Sequence, residues 1–413
     1  MSFNVVNPGN RFRLDAQADT RRVEGINSLG PAPGSFEEPG KGKRISWGIT
    51  QWVFTVFAIL AFVGLVLMGR GAASLQTTGI LALVALVPLF VVTLVLAWID
   101  RWAPVSWRLK ILALGLGAGL GGGGAIIFNS GLNVDILLYS GDPMLAEFRS
   151  AVFVAPISEE TFKGLGVVLI LLWARHQIAT PISGFAIGGF VGAGFAYVEN
   201  IMYFVQAHAE GSAVLGLTVI GRGLMSPFVH PMSTSFTGLM FAWALLSQAK
   251  VWGWIWRLLL GLGIAMGLHS LWNFLASSAG AMWYFWYAVI ELPLLIGWLS
   301  WILTWSARQA KAVAHGLQSY VQTGWVREAE VQMVTNRVAL KYAKKWGKRI
   351  GSPAPKLVRK FVAALRRLGL DQEVMSKTGP NRVRMENDQK LLSDVDLIRI
   401  EFEDLEQLRA GMA

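Results

Sequence analysis

The sequence predicts an all-α, polytopic membrane protein, and three observations carry that expectation. Of 413 residues, 54% are hydrophobic and only 15% charged, more apolar side chains than a soluble protein of this size carries. Apolar runs of about 20 residues recur along the chain, each long enough to cross a hydrocarbon core of about 30 Å. The 18 Trp, many of them near the ends of those runs, fit the aromatic belts of bilayer interfaces. There is no Cys, which excludes disulfides, thiol nucleophiles and Cys-ligated metal.

Residues 1–44 form a polar, basic arm that ends in GPAPGSFEEPGKGKR, the composition of a flexible linker. No apolar stretch follows the start closely, so a cleaved signal peptide is not expected. About eight spans follow, at roughly 46–68, 79–99, 109–128, 149–173, 181–205, 222–247, 254–277 and 280–305. The third is the weakest, because LGLGAGLGGGG is a poor helix former in water, although small residues allow close helix packing in lipid. Lys41, Lys43 and Arg44 precede the first span; Arg101, Arg108 and Lys110 follow the second; Arg175, Lys250 and Arg257 mark later even junctions. The opposite loops hold little beyond Arg70 and Arg149. The positive-inside rule then places both termini in the cytoplasm.

From Ser306 to Ala413 the composition becomes soluble, basic first and acidic later. Between Val331 and Leu370 there is no Asp or Glu among many Lys and Arg. Leu357, Phe361, Leu365 and Leu368 recur at helical spacing with Arg359, Lys360, Arg366 and Arg367 around them, an amphipathic basic helix. The plain expectation is a small helical cytosolic domain; the sharper one is a contact of the basic tail, 337–367, with acidic lipid or an acidic protein. No nucleic-acid recognition module is visible.

Within 151–305, Glu159, Glu160, Lys163, Glu199 and Glu291 fall inside spans, with Arg222 at a rim. A charge at mid-membrane costs about 2.5 to 3.5 kcal/mol on insertion scales, so such groups need partners, water or a task. His230 and His269 join them. At about 1.5 Å per residue, Glu159, Glu160, Glu199, His230 and His269 lie about 10 to 15 Å in from the outer ends of their spans, so four helices deliver them to one layer. Gly184, Gly188, Gly192 and Ala196 make a small-residue stripe that lets the fifth span approach a neighbour. His269 and Asn273 are one turn apart on one face, and Pro227 and Pro231 flank His230, where a kink is tolerated beside a cavity. Taken singly, EETFK reads equally as an intrahelical ion pair, each histidine as a hydrogen-bonded core residue, and Glu199 with Asn200 as interhelical polar glue. Glu291, beside Pro293, could belong to the site, but reads chiefly as structural balance for Lys163 or Arg222.

Taken together, the set has a chemistry. Two adjacent carboxylates cannot both ionise easily in a low-dielectric site, and Lys163 favours keeping one charged. An ionised carboxylate can take a proton from water and later return it to a leaving group; His269 and Asn273 could supply donors for an oxyanion.

The ordered series EETFK (159–163), FAYVEN (195–200), His230 with TSFTG downstream, and HSLWN (269–273) resembles the signature of the PrsW family of intramembrane proteases. That family shares a wider superfamily with the type II CAAX prenyl endopeptidases. The resemblance covers about 145–280 and implies a hydrolase that cuts single-span, membrane-anchored regulators such as anti-sigma factors. It implies catalytic roles for Glu159, Glu160, Glu199, His230, His269 and Asn273, with Lys163 and Asn200 in support. Metal use is open: Glu160, His230 and His269 are candidate ligands for Zn2+ with one open position, whereas no HExxH helix is present and a glutamate mechanism needs no ion. The chain departs from the CAAX enzymes in having Lys163 where they carry an Arg farther along, and Glu199 where they carry His. The competing readings are a proton- or cation-coupled transporter using the buried carboxylates, and a non-catalytic scaffold.

Overall fold

The computed structural model describes residues 73–126, 128, 129, 139, 141–247, 250–278 and 282–411, all helical or connecting, with no strand among them. The expected arm 1–44 and the first expected span, 46–68, lie outside the described residues. The chain divides between Ser306 and Ala307 into two compact units, taken in turn.

The first unit begins with α1 (Leu75–Ile99), capped by Ser74, whose hydroxyl accepts from the Thr77 amide. Helix α2 (Trp107–Leu116) continues as a π-helical stretch, Gly117–Gly123. Helix α3 (Pro143–Arg149) passes through a second π-helical stretch, Ser150–Val154, into α4 (Ala155–Trp173). Then come α5 (Pro181–Glu210), α6 (Ser212–Ile220) with a π-helical end Gly221–Met225, α7 (Val229–Leu245), α8 (Val251–Ser278) and α9 (Trp283–Trp286), which runs through Tyr287–Glu291 into α10 (Leu292–Gln322).

Among the described residues, six stretches are long and apolar enough to cross a membrane: Leu75–Ile99, Trp107–Ile126, Pro181–Glu210, Ser212–Leu245, Val251–Ser277 and Trp283–Gln322. The expected count was eight. Helix α4 drops out of the apolar set because its 19 residues carry Glu159, Glu160 and Lys163, and 46–68 is not described. Large apolar side chains point outward, among them Leu83, Phe90, Trp252 and Leu259, each more than 60% exposed. That surface suits lipid.

Helix α5 is the axis. Every residue from Ile182 to Phe195 is buried, as expected of a helix packed on all sides, and α1, α2, α4, α6 and α7 lie against it. Its glycine stripe meets α7. A Cβ on Gly188 would stand 2.4 Å from the Thr234 carbonyl oxygen, and one on Gly192 would stand 2.4 Å from the His230 carbonyl oxygen. Gly117 and Gly194 make the equivalent approach between α2 and α5: their Cβ atoms would lie 1.8 Å from Val191 O and 2.0 Å from Leu114 O. This accounts for the Gly-rich third span, whose glycines let two backbones touch.

A prediction follows for Gly192→Ala. The colliding atoms are backbone atoms of His230 and Pro231, which cannot swing aside, so α5 and α7 separate at the histidine. The expected cost is about 1 to 3 kcal/mol, as for other overpacked cores. Gly263→Ala, whose Cβ would meet nothing within 4 Å, should be neutral; equal unfolding midpoints of the two variants in SDS titration would refute the close-approach argument.

The second unit holds the end of α10, α11 (Glu328–Thr335), α12 (Arg337–Ile350), α13 (Ala354–Thr378) and α14 (Arg382–Gly411). Leu357, Phe361, Leu365 and Leu368, the apolar face expected of the basic helix, are buried in its core with Val313, Leu317 and Val395. That face is therefore taken up inside the unit. Helix α12 is different: Gly347 is its one buried residue, and Val338 and Tyr342 are exposed beside Lys341, Lys344 and Lys345. Asp371 is wholly buried between Arg367 and Arg384. Asp388, which accepts from the Tyr320 hydroxyl, is pushed up to about 7 by burial and by Asp371.

Candidate active site

Four helices bring the site together. Helix α4 supplies Glu159, Glu160 and Lys163; α5 supplies Phe195, Glu199 and Asn200; α7 supplies His230 and Thr234; α8 supplies His269 and Asn273. The chain breaks at Ser226–Phe228, so His230 sits in the first turn of α7, and Pro231 beside it has no amide hydrogen to satisfy.

Glu160 is wholly buried and fully engaged. Its Oε1 lies 2.6 Å from Lys163 Nζ and 3.1 Å from His269 Nδ1, and its Oε2 accepts from the Thr234 hydroxyl at 2.8 Å. Glu199 holds the other histidine: His230 Nε2 donates to its Oε2 at 2.7 Å, and Arg222 donates to the same carboxylate. Arg222 also donates to Asn200 Oδ1 at 2.9 Å and lies over the Tyr203 ring. The two imidazoles meet edge to face, with centroids 4.7 Å apart.

Each imidazole therefore has a carboxylate on one nitrogen, which fixes its tautomer, and turns the other nitrogen inward. The inward His269 Nε2 lies 3.7 Å from Glu159 Oε2. The inward His230 Nδ1 accepts from Lys163 Nζ at 3.3 Å. Glu159 Oε2 also stands 3.7 Å from Lys163 Nζ, and it is buried with no hydrogen-bond partner. In formal charges, Lys163 offsets Glu160 and Arg222 offsets Glu199. Glu159 is left over.

Lys163 is 0% exposed, with Nζ 3.9 Å from the Phe195 ring centroid. Gly121 makes room for its stem, since a Cβ there would stand 3.0 Å from Lys163 Cγ.

Glu159, His230 and His269 each offer a ligand atom, all within 4.8 Å of one another. Ligands about 2.0 to 2.2 Å from a tetrahedral zinc lie about 3.4 Å apart, close to the Glu159 to His269 separation. The partnerless Glu159 carboxylate oxygen and two imidazoles make a three-ligand set that fits a metal ion, with His230 Nδ1 exchanging its Lys163 contact for it. The sequence-based trio had Glu160 in place of Glu159, but Glu160 is already occupied by Lys163, Thr234 and His269. Asn273 also departs from expectation: its amide donates to the Ala151 carbonyl at 2.7 Å, tying α8 to the π-helical entry of α4. Sequence reasoning missed Thr234, one turn beyond His230; it missed Phe195; and it left Arg222 as a rim charge. Glu291 pairs with neither Lys163 nor Arg222, and among the described residues no group bonds either of its oxygens.

Fold and site define a polytopic helical membrane protein with a buried glutamate and histidine centre able to bind a metal ion. Residues 105–298 match the family described as PrsW family intramembrane metalloprotease, a match that supports an intramembrane peptidase activity. No curated protein and no solved structure matches the chain.

Proposed function

We propose that this protein is an intramembrane endopeptidase that hydrolyses a peptide bond in single-span, membrane-anchored regulatory proteins of the anti-sigma-factor type, in a bacterial plasma membrane with both termini cytoplasmic. The observation that carries this reading is Glu159 Oε2, a buried carboxylate oxygen without a hydrogen bond amid a network whose other carboxylates are bonded. In the proposed reaction Glu159 takes a proton from the attacking water as it adds to the scissile carbonyl, then returns it to the departing amine. Lys163 lines the same space, and its ammonium offsets the charge that develops on the carbonyl oxygen. Glu160, Thr234 and Glu199 hold the lysine and the imidazole rings in place. If zinc is held instead, Glu159, His230 and His269 would be its ligands, and the ion would supply a bound water of lowered pKa and a Lewis acid in place of Glu159 as the base.

The test is cleavage of single-span reporters by the purified protein, by His230→Ala and by His269→Ala, with chelator treatment and bound metal measured by elemental analysis. Cleavage by the wild type alone supports the peptidase. Loss on chelation with recovery on adding Zn2+ assigns the metal, whereas full activity in metal-free protein leaves the carboxylate as sole activator. Equal cleavage by all three proteins, or none across a broad reporter panel, would sink the proposal.

A further inference from the structure

A cavity of about 40 Å³ lies beside the site, lined by Met225, Phe228, Met232, Leu271, Trp272, Glu291 and neighbouring apolar residues. Its walls come from the segments that carry the two histidines: Val229 precedes His230, and Leu268 precedes His269. Glu291 ends the π-helical stretch Tyr287–Glu291, is 9% exposed, and has both carboxylate oxygens buried without a hydrogen-bond partner. Both hydroxyls in the lining are committed elsewhere, Tyr287 donating to the Met225 carbonyl at 2.8 Å and Ser226 to the Gly221 carbonyl at 2.7 Å. Such π-helical turns inside helices recur at functional positions.

An unbonded buried carboxyl group is costly, and the sequence keeps this one within a span, where any charge is dear. Its surroundings define what would satisfy it. Apart from Glu291, Tyr287 and Ser226 the lining is apolar or aromatic, including Phe228, Trp272, Met225 and Met232. About 10 to 15 Å³ of such space takes one water, so the cavity admits an ammonium or carboxamide head. The apolar walls suit the methylene stem behind it.

We infer that this cavity is a substrate side-chain subsite in which Glu291 accepts a hydrogen bond from a basic or amide residue of the substrate's membrane-spanning segment. This rests on the peptidase reading above. A donor residue that is unfavourable in lipid is stabilised once it reaches the carboxylate, so the enzyme selects spans that carry one near the scissile bond.

Two measurements test it. The first compares single-span reporters that differ only in Lys, Gln or Leu at successive positions around the cleavage point, cut by wild type, Glu291→Gln and Glu291→Leu. The wild type should cut the best Lys reporter at least about tenfold faster than its Leu counterpart, in line with discrimination by a buried polar partner. Glu291→Leu should bring that ratio close to one, and Glu291→Gln should shift the preference from Lys toward Gln. A wild-type ratio of one, or a ratio unchanged in Glu291→Leu, overturns the subsite. The second measurement needs no cleavage: n-butylammonium should raise the unfolding temperature of the wild type saturably, n-butanol less, and Glu291→Leu should lose the response to the amine. Amine binding without cleavage of any reporter would reject the peptidase and keep the cation subsite. Cleavage without amine binding or Lys preference would reject the subsite and keep the peptidase.

Discussion

Glu159→Gln should abolish cleavage and leave the protein folded, whereas Glu160→Gln should lose stability as well. The two carboxylates are neighbours in sequence, yet their surroundings differ in kind. Glu160 accepts from Lys163, His269 and Thr234 and has no exposed surface; its neutral amide would leave the Lys163 ammonium without its nearest anion. Breaking a buried pair by removing one partner costs about 3 to 5 kcal/mol. The Glu159 oxygen has no hydrogen bond to lose, so the amide substitution removes only a proton acceptor and a formal charge with no counterion of its own. Loss of a general base lowers the rate by about 10² to 10⁴-fold, and loss of a metal ligand would be at least as severe. The check is a paired measurement of reporter cleavage and of unfolding in SDS titration. Wild-type cleavage by Glu159→Gln, or wild-type stability in Glu160→Gln, contradicts this division of labour.

How far this arrangement was legible in the sequence depends on the residue. Glu159, Glu160, Glu199, His230 and His269 stand out because a titratable group in an apolar run is costly, and their spacing from span ends puts them at one depth. The glycine stripe of the fifth span signals a close neighbour, but only the folded chain shows that the neighbour is the backbone of His230 and Thr234. Pairings were not legible, since they depend on how side chains from different helices interlock. Nothing in EETFK says that the second glutamate takes the lysine and the first is left unbonded. Asn273 shares a face with His269 and so looks aimed at the site. It bonds the Ala151 carbonyl instead, within the stretch SAVFV that winds as a π-helix, a backbone form that no residue pattern there announces. Arg222 looks like a span-end charge until the break at Ser226–Phe228 brings its turn against Glu199 and Asn200. The charges that define the site also make α4 a poor membrane span by composition, so one feature both reveals the function and obscures the topology.

Lys163→Met should be among the most destabilising single substitutions in the membrane unit. Its ammonium touches the Glu160 carboxylate at 2.6 Å and His230 Nδ1 at 3.3 Å, and lies 3.7 Å from Glu159. Two carboxylates in a low-dielectric interior depend on this cation, and the expected loss is again about 3 to 5 kcal/mol. Arginine should not rescue it, because its planar, larger head is no substitute for a compact ammonium, and the stem already lies against Gly121 and Phe195. The decisive comparison is the double variant Lys163→Met with Glu160→Gln. If the destabilisation comes from a stranded charge, removing both partners must cost less than the sum of the single losses, by about 1 to 3 kcal/mol for residues in one network. Strict additivity would mean that the lysine contributes through packing alone. In that case charge compensation would not explain why the chain keeps Lys163 wholly buried within α4.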